Sequence, residues 1–211
     1  MNLRNFLVAC LLLGALGWWY FAHYPGNHGA PSSVGTGCPL PPRVEAGAAP
    51  LQSDVPDSLR SFGLPAATLR PVAGFSIDAR ILSRQDYRLG RESDLSPTDL
   101  ALGWKRMRED AVLSQLRISQ SSRWYSYRWQ DQPPLPPAEI ARSSANMHMI
   151  PANGAVADAL ADIGKDDNVR IDGWLVEATA PDGWRWRSST TREDTGGGAC
   201  EVVYVCAITR L

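Results

Sequence analysis

Arginine and tryptophan alternate near residue 185, in the segment GWRWRSSTTREDTGGGACE that runs from Gly183 to Glu201. On a strand, Trp184 and Trp186 would share one face, because successive side chains point to opposite sides. The intervening arginines would share the other face, where a guanidinium group can act as a forked donor to a carboxylate or a phosphate. We therefore take four arginines as candidate ligand-binding residues: Arg170, Arg185, Arg187 and Arg192. A barrel strand whose outer face meets only water would show the same pattern.

The charge of this segment is balanced, since Asp182, Glu193 and Asp194 accompany its arginines. The whole chain is balanced as well, with 21 lysines and arginines against 22 acidic residues. Binding to nucleic acid needs an excess of positive charge on one surface, so we expect no nucleic-acid partner. The glycine triplet at 196–198 lacks the following lysine of a phosphate-binding loop and is typical of a flexible hairpin loop.

His148 is the one histidine beyond the membrane-proximal part of the chain and is the candidate catalytic residue. An imidazole can act as a general base for a nearby hydroxyl group. Four serines are candidates for that hydroxyl: Ser143, Ser144, Ser188 and Ser189. The flanking Met147 and Met149 favour a structural histidine instead, and no G-x-S-x-G motif is present. No histidines or cysteines have the spacing of a metal site, so we expect neither a metal nor a cofactor.

Three cysteines lie beyond the N-terminal apolar run: Cys38, Cys200 and Cys206. Cys200 and Cys206 would be about 20 Å apart on a continuous strand, whereas a disulfide needs alpha carbons within about 7 Å. They are therefore not expected to bond to each other. In an oxidising compartment Cys38 can bond to one of them. Alternatively, Cys200 and Cys206 are small core residues and Cys38 is available for contact between chains.

The first 24 residues have the pattern of a membrane anchor, with an uncharged apolar run from Phe6 to Ala22. As a helix this run is about 25 Å long, close to a hydrocarbon core of about 30 Å. Arg4 before the run and the aromatic residues at its far end predict a single pass with the rest of the chain outside the cytoplasm. A cleaved signal peptide is the alternative, but the bulky WWYF sequence is a poor cleavage context. Cys10 lies too early in the run for a lipoprotein signal.

Residues 25–71 are rich in proline, glycine, alanine and serine, which predicts a flexible tether. We expect the globular domain to span residues 72–211. Its first element is a strand, because Phe75, Ile77 and Ala79 alternate with polar residues. Ser96 and Pro97 have the pattern of a helix start and predict one or two short helices after them.

The remaining chain contains more strands than helices. RWYSYRW, residues 123–129, and SANMHMIP, residues 144–151, are typical of strands. Asn153 is placed to cap a helix over the sequence that follows it. Three further strands fill the final third, and Gly173 indicates a bulge or bend in the first of them.

This order predicts an α+β domain, mainly antiparallel β, with short helices. A small, strongly bent sheet with a helix across its end indicates an OB-like barrel, the oligonucleotide/oligosaccharide-binding type. An open sheet with helices on one face would fit the same pattern.

Three segments resemble parts of uncharacterised membrane-anchored envelope proteins of Gram-negative bacteria: DYRLGRESDLSPTDLALGW, SANMHMIP and GWRWRSSTTREDTGGGACE. The resemblance covers about residues 75–211. It implies a location in the bacterial cell envelope. Together with the predicted anchor, this leads us to expect a single-pass protein of the bacterial inner membrane whose C-terminal domain lies in the periplasm. The resemblance implies no activity and assigns a role to no residue.

The sequence favours a binding domain over an enzyme. We expect residues 6–22 to contact the lipid bilayer and the domain to bind an envelope protein, a peptide or a saccharide. One alternative is a periplasmic hydrolase or transferase with His148 as general base and Arg185 or Arg187 as anion clamp. Another is an accessory subunit whose membrane helix makes much of the contact with its complex.

Overall fold

The computed structural model describes residues 37–191 and 199–211 of the chain. The predicted anchor, residues 1–24, lies outside these ranges, as do Arg192 and the first part of the predicted tether, residues 25–36. Among the described residues, no helix is both long enough and apolar enough to cross a membrane.

The described residues form mainly strands, with a few short helices, so the predicted α+β class is confirmed. The strands are β1 Leu51–Ser53, β2 Phe62–Gly63, β3 Thr68–Asp86, β4 Thr98–Gly103, β5 Arg117–Ser121, β6 Trp124–Arg128, β7 Ser144–Pro151, β8 Asn168–Thr179, β9 Arg185–Arg187 and β10 Glu201–Arg210. The α-helices are α1 Asp110–Leu113, α2 Pro137–Arg142 and α3 Gly154–Ala161. Two 3-10 turns span Arg91–Asp94 and Lys105–Arg108.

Five strands close into a ring in the order β3, β4, β7, β10, β8 and back to β3. β3 can join the two ends because it pairs with β8 over residues 68–80 and with β4 over residues 80–86. Bulges at Val72 and Leu82 interrupt this pairing and let the long strand bend. The pairs are antiparallel except for β7 with β10, which is parallel and makes the sheet mixed.

The ring encloses the main core. Alternate residues of its strands point inward and are buried together, among them Phe75, Ile77, Leu100, Met147, Ile171 and Val203. Helix α3 packs on the same core with Val156 and Leu160. It begins where the sequence predicts, because the Asn153 side chain accepts a hydrogen bond of 3.0 Å from the Val156 N–H.

Close packing of β8 against β10 depends on Gly173. A Cβ atom at this position would overlap the carbonyl oxygen of Tyr204 on β10. The pairing of these two strands shifts register nearby, between Val205 and Ala207. The bulge therefore lies on β10, the neighbour of the strand in which Gly173 predicted it.

The predicted helix after Ser96 is wrong, because residues 98–103 form strand β4. Ser96 and Pro97 resemble a helix start locally, yet every residue of β4 is buried in the sheet. Leu100 and Leu102 face the main core, whereas Ala101 faces a second cluster under the β5–β6 hairpin. Burial on both faces thus outweighs the local capping pattern, and helical turns form only from Lys105 onward.

The predicted tether needs correction for residues 37–71, which fold onto the sheet. Residues 38–53, here called the strap, cross the outer face of β3 and β8 and end in β1, which pairs with β3. Residues 62–63 form β2, which pairs with the first residues of β3. Strand β3 itself begins at Thr68, ahead of the predicted domain start at residue 72.

Polar contacts and one disulfide hold the strap against the sheet. Because such contacts need few apolar side chains, the composition of the strap is similar to that of a flexible tether. The Trp174 indole N–H donates to the Pro39 carbonyl at 2.8 Å, and the Val44 N–H donates to Ser76 Oγ at 2.9 Å. Cys38 is bonded to Cys206 on β10, with their alpha carbons 5.3 Å apart. This is one of the two pairings that the sequence left open for Cys38.

Candidate functional site

A cleft of about 480 Å³ lies on the outer face of the ring beside β7. The connection between β3 and β4 contributes Tyr87, Leu89 and Glu92 to its lining. The tip of the β5–β6 hairpin contributes Ser122, Arg123 and Trp124. His148 of β7 lies at its base, and Trp186, Arg187 and Cys200 come from the segment between β8 and β10.

A buried carboxylate, Asp99, organises the base of this cleft. Asp99 is fully buried on β4, where the strand register places it directly opposite His148 on β7. Its Oδ1 atom accepts a hydrogen bond of 2.7 Å from Arg123 Nη1. Its Oδ2 atom accepts one of 3.2 Å from the Asn146 amide. The charge of Asp99 is thereby compensated without contact with bulk water.

His148 shares the same carboxylate. Its Nδ1 atom lies 2.9 Å from Asp99 Oδ1, but the angle is too poor for a well-aligned hydrogen bond. The imidazole packs against Trp186, with the ring centroids 4.7 Å apart. The His148 side chain, although almost fully buried, also lines the cleft.

Arg123 closes one side of the cleft from the hairpin tip. Ser122 and Arg123 have φ values of 49° and 66°, a left-handed conformation that a two-residue hairpin turn requires and that glycine or asparagine usually supplies. The guanidinium group lies over the Tyr87 ring at 4.2 Å and near the Trp186 ring at 5.6 Å. Its Nη2 also donates to the Ser96 carbonyl at 3.0 Å. Strained backbone held by such contacts is typical of functional sites.

Tyr87 is a second anchor for this hairpin tip. Its hydroxyl oxygen accepts a hydrogen bond of 2.8 Å from the Arg123 backbone N–H. Burial raises the pKa of the Tyr87 hydroxyl above its usual value, because the phenolate would lose solvation. Tyr87 therefore stays neutral at physiological pH and acts as a hydrogen-bonding and stacking group.

Of the four predicted arginines, the structure describes three, and one of these three lines the cleft. Arg187 lines the cleft, whereas Arg185 is exposed and lies 3.6 Å from Glu177. A hydrogen bond from Arg70 lowers the pKa of Glu177, and the charges of Arg185 and Arg187 act in the same direction. Arg170 lies on β8 opposite Asp78 and does not line the cleft. Arg192 lies outside the described residues.

The four predicted serines do not line the cleft either. The Ser144 hydroxyl donates to the Ile140 carbonyl at 2.7 Å, and the Ser188 hydroxyl donates to the Ser189 carbonyl at 2.7 Å. Ser122 is the serine that the cleft contains. Within the described ranges, no three histidine, cysteine, aspartate or glutamate side chains are grouped closely enough to hold a metal ion.

The comparisons with known proteins assign no family. No family model, curated protein or solved structure matches this chain. The cleft and its residues are therefore the basis for any statement about function.

Proposed function

We propose that this protein is a membrane-anchored domain of the bacterial cell envelope that binds a protein, peptide or saccharide partner in the cleft. The observation that carries the proposal is an open cleft in which three aromatic rings and an exposed arginine meet at the base formed by Asp99 and His148. Aromatic and arginine side chains are the residues that most often dominate binding surfaces.

The strand order supports an OB-like barrel as the scaffold. OB-folds are five-stranded Greek-key barrels that bind ligands on the face of their second and third strands, between the loop that follows strand 1 and the loop that follows strand 4. In the ring, β4 and β7 are the second and third strands. The cleft lies on their outer face, between the connections that follow β3 and β8.

The lining of the cleft favours a partner with both apolar and anionic groups. Leu89 is 90% exposed and Trp124 is 49% exposed, so both can contact apolar or ring surfaces of a partner. Arg187 is an exposed cation that can pair with a carboxylate or a phosphate. The apolar run at residues 6–22 supports the anchored location, with the domain in the periplasm.

Arg187→Ala is expected to weaken partner binding about tenfold, the effect of losing about 1.4 kcal/mol of binding free energy. The measurement is the amount of partner that stays with the full-length protein when it is isolated from its own membranes in mild detergent. Arg185→Ala is the matched control, because Arg185 lies on the same face of β9 and does not line the cleft. Equal retention by the two variants would count against the cleft as the binding site.

A second candidate function is a hydrolase or transferase with His148 as general base. The observation that favours it is the Asp99 carboxylate 2.9 Å from His148 Nδ1, since a buried carboxylate on that side of a catalytic histidine is a recurring arrangement in hydrolases. His148→Ala in the same isolation separates the two candidates. If the variant keeps the partner but no longer converts it, the enzyme is supported. If the wild type and the variant both keep the partner and neither converts it, binding alone is supported.

A further inference from the structure

The β5–β6 hairpin presents one polar face to solvent. Exposed and half-buried residues alternate along both strands, so one face points outward and the other packs on the domain. The packed face contributes Ile118, Tyr125, Tyr127 and Trp129 to the apolar cluster beneath the hairpin. The Tyr125 hydroxyl also donates to Ser144 Oγ on β7 at 3.2 Å. These contacts fix the hairpin on the domain, so its outer face is a firm surface.

The outer face, here called the hairpin face, consists of three pairs of residues that lie opposite each other on the two strands. The strand register gives these pairs as Arg117 with Arg128, Ser119 with Ser126 and Ser121 with Trp124. All six residues are exposed. Successive pairs on one face of a strand are about 7 Å apart, so the hairpin face is about 14 Å long. It has two cations at one end, hydroxyl groups in the middle and an indole at the other end.

The two arginines form an unfavourable pair in the free protein. Directly opposite residues of antiparallel strands have Cβ atoms about 4.5–5.5 Å apart, and like charges in this position destabilise a sheet. Neither Arg117 nor Arg128 forms an ion pair with a carboxylate among the residues that the structure describes, although Arg80 and Arg108 do. From residue 111 to residue 130 the chain carries three arginines and no acidic residue, while its net charge is -1. An anion bound between the two arginines would remove their repulsion.

We infer that the hairpin face binds an acidic saccharide, a chain of sugar rings that carries carboxylate or phosphate groups. The guanidinium groups of Arg117 and Arg128 can hold one such anionic group between them through forked hydrogen bonds. The hydroxyls of Ser119 and Ser126 can donate to sugar hydroxyls and accept from them. Trp124 is 49% exposed, so its indole can stack on the apolar side of a sugar ring.

The composition of the hairpin face favours a saccharide over a peptide or a bilayer. Trp124 is the one apolar side chain among its six residues, whereas the centre of a protein interface is mainly apolar. A surface that binds a membrane combines its cations with several apolar side chains. The inference goes beyond the proposed function, because the hairpin face shares Trp124 with the cleft but does not include Arg187 or His148.

The test measures the binding of two acidic saccharides by isothermal titration calorimetry, with the full-length protein held in nanodiscs of phosphatidylcholine. The saccharides are an oligogalacturonate, which carries carboxylates, and a phosphomannan fragment, which carries phosphates. One or both are expected to bind at least about tenfold more tightly than the neutral saccharide maltohexaose, because charge-assisted hydrogen bonds are the stronger ones. If neither binds, or if both bind no more tightly than maltohexaose, the proposal is overturned.

Substitutions then locate the binding on the hairpin face. Arg117→Ala and Arg128→Ala are each expected to weaken the binding of the acidic saccharide about tenfold, and Trp124→Ala about fivefold. Arg60→Ala is the matched control, because Arg60 is also exposed and lies ahead of β2, outside the hairpin. If both arginine variants of the hairpin bind as well as Arg60→Ala, the saccharide does not bind to this face.

The stability of the same variants separates a binding role from a structural one. The urea midpoints of Arg117→Ala and Arg128→Ala are expected to equal or exceed that of the wild type, because each change removes the repulsion between the two charges. Lower midpoints would show that the arginines stabilise the hairpin, and they would remove the argument for a bound anion.

Two other anionic probes distinguish a saccharide from other partners. Poly-L-glutamate and vesicles of phosphatidylglycerol are each expected to bind at least about tenfold more weakly than the acidic saccharide. Equal or tighter binding of either one would assign the hairpin face to an acidic peptide or to a membrane and overturn the proposal. The cleft is judged separately by partner retention in Arg187→Ala, so its proposed function survives if the hairpin face binds no saccharide.

Discussion

Asp99→Ala is expected to lower the free energy of unfolding by about 3–5 kcal/mol, the largest effect of any single side-chain removal at the cleft. Asp99 is fully buried and compensates Arg123, whose own side chain is only 17% exposed. Removing the carboxylate leaves a buried guanidinium group without its counter-ion, which is the costly way to break such a pair. Urea unfolding of the wild type and the variant measures the difference.

The control for this prediction is Asp94→Ala, which removes an exposed carboxylate from the same connection between β3 and β4. We expect that change to alter stability by no more than about 0.5 kcal/mol. Combining Asp99→Asn with Arg123→Met should cost less than the sum of the two single changes, because both partners of the ion pair are then removed. Additive costs would show that Asp99 and Arg123 do not interact as the structure places them.

Loss of the disulfide is expected to lower the free energy of unfolding by a similar amount. The double change Cys38→Ser and Cys206→Ser should lower the free energy of unfolding by about 2–5 kcal/mol, because the bond closes a long loop in the unfolded chain. The two cysteines are 168 residues apart in sequence. The strap also depends on this bond, because ahead of β1 it is held to the sheet by individual hydrogen bonds that involve Pro39, Val44 and Gly47.

Unfolding of the oxidised protein in the absence of reductant tests this prediction, with Cys200→Ser as the matched change outside the disulfide. Cys200→Ser is expected to cost less than the double change. If the double change is no more destabilising than Cys200→Ser, the bond does not hold the strap in solution. A chain that begins at Val72 should be destabilised further, because it lacks the strap, β1, β2 and the first four residues of β3.

Much of the final third could be predicted from the sequence because its signals are local. The apolar pattern and Asn153 indicated α3, and strands β8, β9 and β10 lie where alternation and turn residues placed them. The two tryptophans do share a face, where Trp184 and Trp186 pack with ring centroids 6.0 Å apart. In these segments the tertiary structure agrees with the preference of each short stretch.

The base of the cleft could not be predicted in this way, because its contacts are distant in sequence. Asp99 and Arg123 are 24 residues apart, and they meet because β4 is a strand and the β5–β6 hairpin folds across it. A helix after Ser96 would not place Asp99 in the sheet opposite His148. The alternation of Thr98, Leu100 and Leu102 with Asp99 and Ala101 was the signal that could have identified the strand.

The fold of the strap could not be predicted from the sequence either. Its composition is that of a disordered linker, and it contributes few buried apolar side chains, those of Pro41 and Val44. A covalent bond to Cys206 and backbone hydrogen bonds to Ser76 and Asp78 provide the ordering that composition does not indicate. Composition reports the apolar area that a segment can bury, and it does not report long-range bonds of this kind.

The closure of the ring by β10 has a consequence for biosynthesis. Residues 201–210 pair with both β7 and β8, and Cys206 also holds the strap, so the barrel cannot be completed before this stretch has been translated. If the chain is exported as an extended polypeptide, the ring and its disulfide form only after β10 has left the translocation channel. Nascent chains arrested before residue 200 should therefore remain sensitive to protease, because long-range strand pairing must wait for its last partner.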